Sequence, residues 1–222
     1  MAGVVARWRA AQAASDQLWQ VLKPQAITRR PVPERHRLVF YLGHLEAFDW
    51  NLLAPALEQQ PFHPEWDKLF AFGIDPVDGQ LPSDPAEAWP AEAEISAYNR
   101  RVRQQLGDTL ARQGGEAAAQ RLEVAIEHRW MHVETLSYLF HNLDYADKLA
   151  GPAPAPGRAA LPAAEMIPIP AGKATLGRQR QEGFGWDNEF DAHEVAVSAF
   201  GAARRKVSNR EYLDFVAAGA AA

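Results

Sequence analysis

The chain has 222 residues, of which 47% are apolar and 23% are charged, and its net charge is −5. These proportions are typical of a globular protein and exclude a disordered chain, and the acidic balance argues against a nucleic-acid-binding protein. Because the chain has no cysteine, disulfides and thiolate metal ligands are excluded, and any metal must be held by His, Asp or Glu.

Residues 1–20 contain no signal for export. Arg7, Arg9 and Asp16 interrupt the apolar residues of this stretch, whereas a secretory signal needs a continuous apolar core. No later segment has the length of apolar sequence that crosses a bilayer. We therefore predict a cytoplasmic protein with neither a membrane nor a nucleic acid as partner.

The first two thirds of the chain carry apolar residues at spacings of three and four, which predict helices. The predicted helices are 3–23, 35–58, 92–112 and 116–144. Pro24 ends the first helix, and Pro55 is expected to kink the second or to end it early. The proline-rich segment 59–91 is interpreted as a long loop. The last helix has a heptad-like stripe from Leu122 to Leu143, which favours an antiparallel four-helix bundle and a mainly α fold.

The pattern changes in the last third of the chain. Alanine, proline and glycine dominate a stretch that is typical of a linker, and residues 194–200 then alternate as a half-buried strand does. Ser208, with Glu211 three residues later, predicts a capped helix. We predict a bundle, a linker and the start of an α+β domain, at 1–149, 150–165 and 166–222. The alanine-rich end lacks a closing element, so a C-terminally truncated chain is expected.

Histidines supply the candidate metal ligands. His128 and His132 are four residues apart in a predicted helix, which places both imidazoles on one face, one turn apart. His44 lies midway along the second predicted helix, and facing helices of a bundle are where metal centres are built. Three imidazoles would leave open positions for catalysis on Fe, Zn, Cu or Ni. The alternative interpretation is a surface or core position for His128 and His132, and for His44 a core position bonded to a backbone carbonyl or a tyrosine.

The remaining polar candidates have weaker patterns. Glu134 is expected to point away from the metal, and we favour a structural role for it and for Glu46 and Asp49. The other histidines are interpreted as surface or structural residues, namely His36, His63, His141 and His193.

Two motifs resemble those of a known enzyme family. Residues 41–50, Tyr-Leu-Gly-His-Leu-Glu-Ala-Phe-Asp-Trp, and residues 127–136, Glu-His-Arg-Trp-Met-His-Val-Glu-Thr-Leu, resemble the metal-ligand motifs of the sulfoxide synthases of ergothioneine and ovothiol biosynthesis. The resemblance implies a DinB-like four-helix bundle in which His44, His128 and His132 are the ligands of a non-haem Fe(II).

The last third of the chain resembles the opening of a second domain. Its matching segments are 169–172, 176–177, 187–189, 193–197 and 207–212. They resemble the formylglycine-generating-enzyme domain, also called the sulfatase-modifying-factor domain, which implies a C-type-lectin-like fold. The order of bundle, linker and lectin-like domain matches the family over nearly the whole chain.

The resemblance implies an oxidoreductase that depends on Fe(II) and O2. Such enzymes join a small-molecule thiol to an imidazole carbon of a histidine derivative and oxidise the sulfur. Their catalytic tyrosine lies in a later part of the lectin-like domain, so the catalytic residues are expected outside this chain. Met131 stands where family members often have Gln, and Lys68 is the one basic residue of segment 59–91, where the best-known members have thiol-binding arginines. The thiol (or selenium) donor, the acceptor and the oligomeric state are therefore left open.

Two other functions stay open from the sequence. The first is a DinB-like hydrolase or thiol transferase that uses zinc or nickel, and the second is a non-catalytic metal-binding interaction protein. Iron bound only when all three histidines are intact would favour the sulfoxide synthase.

Overall fold

The structure is a computed structural model that describes residues 1–71, 85–151 and 164–219. The chain is mainly α-helical and divides into two compact units, Met1–Pro152 and Ala153–Ala222. The predicted α-rich class is confirmed, and the division falls inside the stretch predicted as a linker. Within the described ranges, no helix has both the length and the apolar character needed to cross a membrane.

The first unit is built on long helices close to those predicted. Its α-helices are α1 (Ala2–Trp19), α2 (Leu38–Leu53), α3 (Pro64–Leu69), α4 (Glu92–Gln113) and α5 (Glu116–His141). Single 3-10 turns occupy Pro24–Thr28, Pro55–Leu57, Ala86–Ala88 and Tyr145–Asp147. The predicted helix positions are thus confirmed, while several predicted ends are wrong.

Backbone pairing explains the early end of α1. The helix stops at Trp19 rather than at residue 23. Leu22 forms a β-bridge with Lys148, and the N–H of Lys23 donates to the carbonyl of Asp147 at 2.9 Å. These bonds hold the chain in an extended form that a continued helix would forbid.

Proline ends α2 as expected. The helix stops at Leu53, and Pro55 opens a tight turn that leads to Glu58 in the left-handed region at φ 53°. Proline supplies no N–H for a helical bond, which is why the chain tightens there. The predicted start at residue 35 is wrong, because α2 begins at Leu38, whose N–H donates to the carbonyl of Arg29.

The segment 59–91 contains a short helix, α3, that its proline-rich composition did not predict. Helix α3 begins with Pro64 at a favourable first position, followed by Glu65 in its first turn. Six residues are too few for apolar periodicity to be visible. The predicted loop is therefore wrong at α3, and residues 72–84 of that loop lie outside the described residues.

The long helices of the first unit pack as a bundle around an apolar core. Helix α1 packs on α5, and α2 packs on both α4 and α5. The predicted stripe is buried at Leu122, Ala125, Leu136 and Leu139 of α5 and at Leu143, two residues beyond its end. Each such leucine contributes roughly 1.5–3 kcal/mol to folding. His132 on that stripe is half-buried, and so lies at an edge of the core.

The second unit contains short antiparallel pairs and a capped helix. Its elements are β1 (Met166–Ile169), β2 (Gly172–Leu176), β3 (His193–Val197), β4 (Phe200–Ala203) and α6 (Asn209–Ala217). Strand β1 pairs with β4, and β2 pairs with β3. The predicted strand 194–200 covers most of β3 and the first residue of β4, so the prediction of one continuous strand is wrong there. The predicted cap is confirmed, because the Ser208 hydroxyl accepts from the N–H of Glu211.

Candidate metal centre

Three histidines from two helices lie together inside the first unit. Helix α2 carries His44, and α5 carries His128 and His132 one turn apart. One nitrogen from each ring lies within 4.8 Å of the others. The structure therefore brings together the three residues predicted as metal ligands, and their ligand role stays a prediction.

The spacing of the α5 pair suits one shared ion. The Nε2 atoms of His128 and His132 are 3.1 Å apart. Two imidazole nitrogens bound at about 2.1 Å and at right angles to one another would be separated by about 3.0 Å. The same separation also suits a hydrogen bond from one Nε2–H to the other Nε2. In that form one ring carries its proton on Nε2, and this proton must move to Nδ1 before both Nε2 atoms can bind one ion.

The third imidazole is held by a backbone carbonyl. Nδ1 of His44 lies 2.6 Å from the carbonyl oxygen of Phe70. A carbonyl only accepts, so Nδ1 carries the proton and the lone pair is on Nε2. Metal-binding histidines commonly donate their second nitrogen in this way, which fixes the plane of the ring.

Aromatic rings form the walls of the site. Phe48 stacks on His128 with centroids 3.5 Å apart and planes at 10°, and Phe40 stacks on His44 at 4.8 Å and 21°. The Tyr41 ring lies 5.7 Å from that of His132. These walls restrict rotation of the imidazoles and keep water from their faces.

Burial keeps the imidazoles neutral. It lowers the pKa of His128 to about 2, with further lowering from His132 and His44, and lowers the pKa of His132 to about 3. Burial also lowers the pKa of His44. Metal binding requires neutral imidazoles, so no proton has to be removed before an ion enters at neutral pH.

The donor set fits a divalent transition metal. His44 and His128 are only 4% and 6% exposed. The buried Nδ1 atoms of His128 and His132 have no hydrogen-bond partner among the residues that the structure describes. Ligation through Nε2 would leave those nitrogens protonated, as in other neutral imidazole ligands. Imidazole ligands suit iron, zinc, copper and nickel.

A buried ion-pair cluster next to the site accounts for the acidic residues of α2. Arg129 is fully buried and donates to Glu46 at 3.0 Å and to Asp49 at 2.8 Å. Trp8 also donates to Asp49, and Arg103 donates to Glu46 at 2.6 Å. Both carboxylates are therefore bound by arginines of the bundle. The signal for this cluster in the sequence was an arginine on the apolar stripe of α5.

The other polar candidates lie outside the histidine cluster. Glu134, His141 and His193 are exposed, and Met131 is 49% exposed. Sequence reasoning missed Arg35, whose positive charge contributes to the low pKa of His132 and whose guanidinium lies 5.9 Å from the centre of the Tyr138 ring. No motif in the sequence indicated that Arg35 would lie near the site.

Comparison with known proteins identifies two fungal relatives, whereas no family model matches the chain. The chain is 31% identical to ergothioneine biosynthesis protein 1 of Neurospora crassa, in an alignment that covers 94% of this chain and 27% of the relative. It is 27% identical to ergothioneine biosynthesis protein 1 of Schizosaccharomyces pombe, covering 83% of this chain and 29% of the relative. The chain thus spans less than a third of the length of either protein.

Proposed function

We propose that this chain, which belongs to the ergothioneine sulfoxide synthase family of its two fungal relatives, provides the iron site of an enzyme that forms a carbon–sulfur bond. The observation that carries the proposal is the convergence of His44, His128 and His132 within 4.8 Å. The relatives are named for ergothioneine biosynthesis, and the choice of Fe(II) among the metals that suit imidazole rests on the family.

The proposed reaction uses a thiol, a histidine derivative and O2. The S–H bond of the thiol and a C–H bond of the imidazole ring are broken, and a C–S bond forms between the two substrates. The sulfur is then oxidised to a sulfoxide. One oxygen atom of O2 goes to sulfur and the other leaves as water with the two released hydrogens, so atoms and electrons balance.

The residues of this chain would hold and orient the reacting centre. His44, His128 and His132 would bind the metal through neutral imidazoles, and bound iron(II) would supply the redox chemistry with O2. Phe40 and Phe48 keep the ligand rings in plane by stacking. His132 is half-buried, and substrates would approach the metal from its side of the cluster.

An anaerobic Fe(II) titration tests the proposal with a matched pair of variants. His128→Ala removes a ligand whose ring points into the cluster. Loss of a residue that only hydrogen-bonds to a ligand weakens metal binding roughly 10–100-fold. We expect loss of the ligand itself to weaken Fe(II) binding by more than this, while the far-UV circular dichroism spectrum stays helical. His141→Ala, at the exposed end of the same helix, is the control and should bind as the wild type does. Equal Fe(II) affinity in both variants would refute the assignment.

A further inference from the structure

Gly43 occupies an unusual position inside α2, directly before His44. Glycine is unfavourable within a helix because it loses more backbone entropy on folding than other residues. A Cβ atom at residue 43 would lie 2.6 Å from three carbon atoms of the Phe70 ring. Real Cβ atoms do not approach so closely, and so the ring fills the space that glycine leaves.

Phe70 is firmly held on the other sides of its ring. The residue directly follows α3 and is fully buried. Its ring stacks on Trp89 with centroids 5.9 Å apart, and it meets Trp66 and Tyr98 at 6.1 Å and 6.4 Å. With the ring wedged between Gly43 and these aromatics, the backbone of the same residue has little freedom to move.

The carbonyl of Phe70 is the acceptor for Nδ1 of His44, at 2.6 Å. A neutral histidine can carry its proton on either nitrogen, and the acceptor that it meets decides between the two forms. With Nδ1 protonated, Nε2 is the nitrogen that His44 has left to offer to an ion.

We propose that Gly43 and Phe70 are positioning residues that set the tautomer of His44. Gly43 admits the Phe70 ring against α2, the seated ring aims the Phe70 carbonyl at Nδ1, and that hydrogen bond presents Nε2 as the metal ligand. The inference rests on the proposed function for its use of the metal, whereas the tautomer itself is a property of the metal-free chain. Segment 59–71 thus helps to prepare the site without contributing a ligand.

The tautomer of His44 is measured directly in the metal-free chain. Long-range proton–nitrogen NMR on the full 222-residue chain, labelled with nitrogen-15, distinguishes the Nδ1–H form from the Nε2–H form of each ring. His44→Gln assigns its signals. We expect His44 in the Nδ1–H form. An Nε2–H form in the wild type would overturn the proposal without any reference to metal.

A pair of glycine variants tests whether Gly43 is the cause. Gly43→Ala adds the Cβ that meets the Phe70 ring, while Gly107→Ala adds one inside α4 where the nearest atom, Nη2 of Arg9, is 3.9 Å away. We expect Gly43→Ala to weaken Co(II) or Fe(II) binding about 10–100-fold and to mix the two tautomers. Gly107→Ala should keep the wild-type affinity and tautomer with an equal or higher Tm.

Other outcomes are equally decisive. A folded Gly43→Ala variant with wild-type affinity and tautomer would overturn the proposal. If that variant does not fold, Phe70→Leu replaces it, because leucine fills the core but seats less firmly between Gly43 and Trp89; unchanged tautomer and affinity there would also overturn it. If the wild type binds no Fe(II) but shows the Nδ1–H form of His44, the proposed function is refuted, whereas the positioning role of Gly43 and Phe70 is not.

Discussion

At the scale of single residues, the neutral imidazoles couple the site to the stability of the fold. His128 and His132 each lose hydration by burial, and their mutual proximity further disfavours a charge on His128. Their protonation in the folded chain is therefore postponed to pH values far below the ordinary range of histidine, about 6.5. In the unfolded chain, both imidazoles take up a proton in the ordinary range of histidine.

We predict that the metal-free chain loses stability as the pH falls below about 6.5. The folded pKa values are about 2 for His128 and about 3 for His132, so below 6.5 the unfolded state binds more protons than the folded state. Each histidine then costs up to about 1.4 kcal/mol of unfolding free energy per pH unit, and above that pH its contribution is constant. Urea unfolding between about pH 7.5 and pH 5 measures the slope.

The His128→Ala variant isolates this effect from other titrating groups. Burial raises the pKa of the Asp49 carboxyl, for example, but that group is present in both proteins. The difference in slope between wild type and variant therefore belongs to His128. Equal slopes would show that the folded imidazole titrates normally.

Met131 stands where the resemblance leads us to expect Gln, and we predict that Met131→Leu changes little. The side chain is 49% exposed between His128 and His132 on α5. An exposed apolar exchange of similar volume should alter the free energy of unfolding by less than about 0.5 kcal/mol and leave Fe(II) affinity unchanged. Loss of iron binding in this variant would contradict the position of Met131 outside the cluster.

Some of the site could be predicted from residue spacing and some could not. Helical geometry alone places His128 beside His132. The position of His44 depends on how α2 packs against α5, and it was indicated by its place midway along the second predicted helix and by the family resemblance. The Phe70 carbonyl comes from 26 residues away, and its approach depends on the absence of a side chain at Gly43. No local pattern encodes such a contact.

At the scale of the elements, one buried cluster joins the long helices of the bundle. Trp8 of α1, Glu46 and Asp49 of α2, Arg103 of α4 and Arg129 of α5 are linked by hydrogen bonds of 2.6–3.0 Å. Buried ion pairs add little net stability when complete, but a broken one leaves a charge without compensation. The cluster therefore fixes which helix faces meet.

We predict that Arg129→Met lowers the free energy of unfolding by about 3–5 kcal/mol, because it keeps the apolar volume but leaves Asp49 buried without its cationic partner. Chemical denaturation followed by circular dichroism measures the loss. Arg7→Met is the control, since Arg7 of α1 also forms an ion pair with α5, through Glu123, but its side chain is 57% exposed. Its cost should be about 0–1 kcal/mol, and equal costs for the two variants would contradict the role of the cluster.

Apolar periodicity predicted where the long helices lie, but it did not predict where they end, because the ends depend on contacts with distant residues. The four long helices were visible because their apolar stripes repeat over several turns. Helix α1 ends early because Leu22 pairs with Lys148, a partner far along the chain. The six residues of α3 carry too short a pattern, yet this helix delivers Phe70 to the site.

At the scale of the whole molecule, the change from helices to short strands was predictable from composition. The unit boundary at Pro152 falls in the stretch rich in alanine and proline, and β1 begins at Met166 as the sequence indicated. The DinB-like and lectin-like identities of the units stay predictions that rest on motif order. The chain covers 27% and 29% of its two relatives, so activity of the complete enzyme is a proposal.

Iron K-edge X-ray absorption of the full chain, loaded anaerobically with Fe(II), tests the central claim most directly. We predict multiple-scattering features from the three imidazoles of His44, His128 and His132, with one imidazole fewer in His44→Ala. A spectrum with oxygen ligands alone, or one that is unchanged in His44→Ala, would contradict a common metal centre shared by α2 and α5.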